Sequence, residues 1–129
     1  MGETVPMLSF QVRVARVYEP AGPADGTRVL VDRLWPRGVR KGALEFSEWC
    51  KEVAPSPELR TWYGHAPERF DEFAARYRVE LEAPARAAVV ARLKSIARAG
   101  NLTLLTASKD VSISQAAVLA RVVGGDGGG

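Results

Sequence analysis

The period of the apolar positions changes several times along the chain, and each change marks a new element. From Phe10 to Tyr18, Val12 and Val14 alternate with Gln11, Arg13 and Ala15, which predicts a first strand with two unlike faces. The prolines and glycines of Glu19-Pro20-Ala21-Gly22-Pro23-Ala24-Asp25-Gly26 exclude a helix and predict a connector. A second strand is expected over Arg28–Leu34, where the unbroken run Val29-Leu30-Val31 suits a central strand covered on both faces.

The period then lengthens. Phe46, Trp49, Cys50 and Val53 fall at i, i+3, i+4 and i+7, the spacing of one buried helical stripe that Pro55 ends. Ser56 as N-cap and Pro57 at the first helical position open another helix, with Leu59, Trp62 and Tyr63 inward and Gly64 as terminator. Pro67 opens a third, in which Phe70, Phe73, Ala74, Tyr77 and Leu81 share a face. A fourth is expected over Pro84–Ala99, with Val89, Leu93, Ile96 and Ala97 inward and Gly100 as its stop. Leu102–Thr106 reads as the third strand, and Ser112 and Gln115 as a capping box that opens a last helix ending near Val123.

This order predicts an α/β fold: a small, mostly parallel sheet of three or four strands flanked by about five helices, Rossmann-like in build. The second and third strands should be parallel and joined by a right-handed helical crossover. The first two strands lack a crossover helix between them, so an antiparallel pair is an open alternative. At 129 residues the chain fits one domain, expected over 10–123, with a flexible segment at 1–9 and a disordered Gly-rich tail at 124–129.

Composition narrows the function classes. The formal charge is +3, and basic and acidic residues are interspersed, so an anionic partner is permitted while no basic run argues for nucleic acid. Cys50 is the only cysteine, which excludes an internal disulfide, and its apolar setting predicts a buried, inert thiol. No signal peptide and no spanning run of about 20 apolar residues is apparent, so the expected location is cytoplasmic, with no membrane partner. The oligomeric state is not legible.

The charged clusters of interest follow strands. Asp32, Arg33 and Arg37 follow the second, and Ser108, Lys109 and Asp110 follow the third. Ligands of open α/β sheets bind beyond the carboxyl ends of parallel strands, where the N-terminus of the last helix would also favour an anion. Arg33, Arg37 and Lys109 are the candidate anion holders, with Arg60 and Ser108 beside them. Asp32 or Asp110 is the candidate base, and His65, the only histidine, the candidate acid. The plainer readings are an Asp32–Arg33 ion pair that pins the turn and a linker histidine bonded to backbone. Between the arginines, Arg33 adjoins the packed strand and is expected to be structural, while Arg37, beyond Pro36, is expected to be free. Trp35, Trp49 and Trp62 read as core residues, and Arg86, Arg92, Lys94 and Arg98 as a solvated helix face. One histidine without a partner does not supply a zinc site, and no nucleotide-loop or hydrolase motif occurs, so neither metal nor cofactor is expected.

The run from Asp25 through Val31-Asp32-Arg33-Leu34-Trp35-Pro36-Arg37-Gly38 resembles the YeaO-like branch of domain-of-unknown-function family 488. The likeness continues through Trp49-Cys50-Lys51-Glu52-Val53-Ala54-Pro55-Ser56, Glu58-Leu59-Arg60, Gly64-His65, Phe73-x-x-x-Tyr77-x-x-Glu80-Leu81 and Leu102-Thr103-Leu104-Leu105. It implies a Rossmann-type topology with parallel strands and a shortened first connector, and no particular activity. Relatives often carry His, Asn or Cys at the start of the last helix, where this chain has Ile113-Ser114-Gln115-Ala116. That departure from the pattern weakens the case for thiol or metal chemistry. The leading expectation is a small-molecule enzyme or sensor for an anionic ligand, a phosphate-bearing one among the options; a nucleic-acid-binding module and a protein-interaction domain are the alternatives.

Overall fold

The computed structural model describes residues 11–124, so the expected flexible segment and all but the first residue of the Gly-rich tail lie outside the described residues. Four strands form one sheet: β1 (Val12–Arg16), β2 (Thr27–Leu30), β3 (Glu48–Trp49) and β4 (Leu102–Thr106). Their spatial order is β1-β4-β2-β3, and every neighbouring pair is parallel. Thus β1 and β2 do not pair with each other; β4 lies between them, in register Val12 to Leu102 on one side and Thr27 to Leu102 on the other. The antiparallel alternative is corrected by that insertion.

Four α-helices follow the expected punctuation: α1 (Pro57–Tyr63), α2 (Phe70–Glu80), α3 (Pro84–Ala99) and α4 (Gln115–Gly124). Ser56 caps α1 by accepting from the Leu59 amide at 3.1 Å, and Gly64 ends it in the left-handed conformation at φ 53°. The fifth expected helix, over 46–53, does not form. Glu48–Trp49 instead pairs with β2, the Cys50 amide donates to the Leu30 carbonyl at 2.8 Å, and a 3-10 turn covers Lys51–Val53. A helical spacing of four residues is weak beside an open strand edge whose backbone groups need partners.

The expected capping box also fails. Ser114, not Ser112, receives the Ala117 and Val118 amides in the first turn of α4, and Ser112 instead donates to Asp110. Gly124 closes α4 instead of beginning a tail.

Helices cover one face of the sheet and a loop covers the other. Val29, Val31, Leu102 and Leu104 pack against Leu59, Tyr63, Phe73, Tyr77, Leu93 and Leu119 in the main core. On the opposite face Leu30, Leu105 and Val17 meet Leu44, with half-buried Trp35, Val39 and Trp49 around them. Trp35 makes edge contacts at 5.6 Å with both Phe46 and Trp49, so the loop from 31 to 47 does the work of a missing helix layer. Among the described residues, no helix is long and apolar enough to cross a membrane.

Candidate functional site

The sheet delivers its polar residues to one edge. Val31 still donates its amide to the Leu105 carbonyl at 3.1 Å, and at Asp32 the chain leaves β4. The Asp32 carboxylate turns across the carboxyl end of β4. Its Oδ1 accepts from the Thr106 hydroxyl at 2.7 Å and from Gln115 Nε2 at 2.6 Å, and its Oδ2 accepts from the Ala107 amide at 2.8 Å. The Asp32 carbonyl accepts from Trp49 Nε1 at 2.7 Å. One residue therefore ties β2 to β4, α4 and β3. The expected Asp32–Arg33 pair is absent, because three neutral donors from β4 and α4 occupy the carboxylate instead. Gln115 escaped the sequence reading, where it served only as half of a capping box. Only the β2–β4 pairing brings it to Asp32, 83 positions away.

Arg33 and Arg37 are both exposed, and neither takes part in the ion pairs found among the described residues. The structural role expected for Arg33 is corrected. The ladder of β2 stops at Leu30 rather than Leu34, so Arg33 has already left the sheet, and the neighbouring Leu34 is 75% exposed. Arg60 projects from α1, half-buried, and uses Nη1 to donate to the Pro55 carbonyl at 2.7 Å. The three guanidinium-bearing residues line a hollow of about 310 Å³ together with Asp32, His65 and Ser108.

Its far wall, Ala54-Pro55, is immobilised by side chains. The carbonyls of Val53, Ala54 and Pro55 accept, in turn, from the Tyr77 hydroxyl at 2.5 Å, Arg86 Nε at 2.9 Å and Arg60 at 2.7 Å. Burial pushes the Tyr77 phenol far up, which keeps it a donor. Glu80 fixes the next residue by accepting from both the amide and the hydroxyl of Ser56, at 2.8 and 2.5 Å. Arg86, expected on a solvated face, is thus part of the scaffold, and Arg92 pairs with Glu48.

His65 stands out by its backbone. It has φ 58°, and among the described residues it is the one non-glycine in the left-handed region. That conformation costs an L-residue about 1–2 kcal/mol, and such strain collects at binding sites. Exposed, and tilted 6.0 Å from the Tyr63 ring, His65 lines this hollow and the next one. His65→Gly should therefore raise folding stability by about 0.5–1 kcal/mol, the strain relieved less glycine's greater freedom when unfolded. Denaturant unfolding checks this; a lowered midpoint means that the imidazole itself contributes to packing.

The adjoining hollow, about 560 Å³, shares His65, Ala107 and Ser108 with the first and adds Lys109 and Asp110. Asp110 Oδ1 accepts from the amide and hydroxyl of Ser112 at 3.0 and 2.6 Å, which shapes the 3-10 turn Val111–Ile113. The Tyr63 hydroxyl donates to the Ile113 carbonyl at 2.7 Å. Burial, and then the nearby Asp110 charge, push the Tyr63 phenol up, so it too stays a donor. The expected site residues thus fall into two neighbouring groups rather than one.

Cys50 is buried at 2% exposure, and burial, then the Glu52 charge, push its thiol up, away from nucleophilic character. Among the described residues no three metal-ligating side chains converge.

Comparison with known proteins gives relatives of the same length class. A family model described as the inactive DUF488-N3 subclade matches residues 11–126. An uncharacterized protein of Mycobacterium tuberculosis is 53% identical over 115 residues, 89% of this chain and 95% of the relative. Its counterpart in Mycobacterium bovis matches equally. The uncharacterized protein YeaO of Escherichia coli is 41% identical over 111 residues, 86% of this chain and 95% of YeaO. No solved structure matches the chain.

Proposed function

Because the chain belongs to the DUF488 family, in the branch described as its inactive N3 subclade, we propose that it binds a small anionic ligand without transforming it. The ligand sits in the hollow beyond β2 and β4. One observation carries this reading: Arg33, Arg37 and Arg60 all line a single hollow whose one acidic lining residue is Asp32. Guanidinium groups offer paired donors that match phosphate or carboxylate oxygens. Asp32 already accepts three hydrogen bonds, so its role is to position the loop that carries Arg33 and Arg37. Ser108 adds a hydroxyl at the end of β4, and His65 supplies an imidazole at the rim.

Titration with inorganic phosphate should give saturable binding and a matching rise in thermal midpoint. Arg33→Ala and Arg37→Ala should each leave folding stability within about 0.5 kcal/mol of the parent, as for ordinary surface changes. Each should weaken phosphate binding by about tenfold or more, since a hydrogen bond to a charged group is worth about 1.5–3 kcal/mol. Severe destabilisation of both variants would assign the arginines to the fold. Steeply salt-dependent binding of random oligonucleotides, with no response to phosphate, would assign them to nucleic acid.

A further inference from the structure

We infer that the ligand is a phosphomonoester bearing an uncharged ring, of the nucleoside monophosphate kind, with its phosphate among the arginines and its ring in the adjoining hollow. This rests on the anion-binding reading above. The two hollows adjoin, since His65, Ala107 and Ser108 line both. Each lies in the size range of small-molecule sites, about 300–1,000 Å³, and a lone phosphate leaves the larger one unfilled.

Their linings differ in kind. The first is lined by three arginines, Arg33, Arg37 and Arg60, and by one acidic residue, Asp32. The second carries Lys109 and Asp110, whose charges cancel, and apolar walls from Pro67, Ala107 and Ile113. A second anionic group gains nothing there, whereas a flat uncharged ring buries apolar surface. Asp110 also offers a directional contact. Its Oδ1 takes both Ser112 donors, which leaves Oδ2 as an acceptor for a hydroxyl or amino group of the ligand. The wall is preorganised, since Tyr63 holds the Ile113 carbonyl and Asp110 holds the turn before it. His65 stands at the junction, held in its strained conformation between the two.

The experiment compares inorganic phosphate, ribose 5-phosphate, AMP and adenosine by calorimetry, with backbone amide shifts followed by NMR on the unaltered protein. AMP should bind at least about tenfold tighter than phosphate, a difference that one or two good contacts supply. Phosphate should shift amides of residues 33–35, 37 and 108, and AMP should shift those of 109–113 as well. Ile113→Trp, which fills the second hollow, should bring AMP down to the affinity of phosphate while phosphate binding stays within about twofold. If AMP binds no tighter than phosphate, or leaves the 109–113 amides unmoved, the ring assignment is overturned and the anion site stands. If phosphate and AMP both fail to bind, the anion site itself falls. Adenosine binding as tightly as AMP would overturn the assignment of the arginines.

Discussion

Gly26→Ala should cost about 4 kcal/mol or more, enough to consume much of the stability of a domain whose total is about 5–15 kcal/mol. Gly26 has φ +64°, and a Cβ there would lie 2.1 Å from the Asn101 carbonyl oxygen and 2.7 Å from its carbon. Those atoms are backbone and cannot step aside. The Asn101 carbonyl accepts from the Thr27 amide at 3.0 Å, its side chain donates to the Ala24 carbonyl at 2.9 Å, and the buried Thr103 hydroxyl donates to the Asp25 carbonyl at 2.8 Å. Moving the chain apart forfeits such bonds, each costing about 1–3 kcal/mol when a buried group is left unpaired, and the left-handed backbone adds about 1–2 kcal/mol. Gly38→Ala is the control. Gly38 has φ +79° with nothing within 4 Å of the added carbon, so only the backbone penalty remains. Urea unfolding of the two variants separates clash from strain, and equal losses would refute the close approach at Asn101.

Asp25→Ala is expected to cost about 3 kcal/mol by stranding a buried arginine. Arg28, on β2, is 6% exposed; it pairs with the Asp25 carboxylate and donates Nε to the Glu45 carbonyl at 2.7 Å. Asp25 also accepts from the Gly22 amide at 3.1 Å, with Arg13 at 3.5 Å on its outer side. The double variant Asp25→Ala/Arg28→Met should recover much of the loss, since replacing both members of a buried pair removes the uncompensated charge. The Gly22 amide, then Arg28 and Arg13, outweigh burial and hold the Asp25 carboxyl below its ordinary value of 3.8. A depressed folded value means that this stabilisation is fully present above the unfolded value and is lost as pH falls through the folded one. The unaltered protein should therefore lose stability on acidification below about pH 4, near the ordinary carboxylate value. Asp25→Ala should lack that share of the acid loss, and identical acid limbs in the two proteins would exclude Asp25 as its source.

Both predictions fall in Asp25-Gly26-Thr27-Arg28, within the segment whose resemblance to DUF488 proteins was legible in the sequence. The resemblance pointed to family and the strand after it, while the reason for Asp, Gly and Arg at those positions needed the fold. Gly26 is required by Asn101, 75 positions later, and no local pattern announces that contact. The candidate site divides the same way. Its arginines and His65 could be named from residue type and from their place after strands or helix ends. The state of Arg33 could not, because it depended on where β2 stops pairing, and strand ends are set by the partner's length as much as by the strand's own residues. Gln115 was invisible for the same reason.

Features that depend on neighbours along the chain were readable from residue order alone. The apolar periods of 57–63, 70–80 and 84–99, the Ser56-Pro57 cap, the Gly64 stop and the burial of the Val29-Leu30-Val31 run all arise within a few residues of one another. Contacts between partners far apart in the chain had to await the fold: β4 inserted between β1 and β2, Trp49 drawn into an edge strand instead of a helix, and Asp32 held by Thr106, Ala107 and Gln115. Helical hydrogen bonds close within four residues, so a local pattern suffices to predict them. A parallel strand finds its partner only across a crossover of a dozen or more residues, and the site lies where those distant partners end.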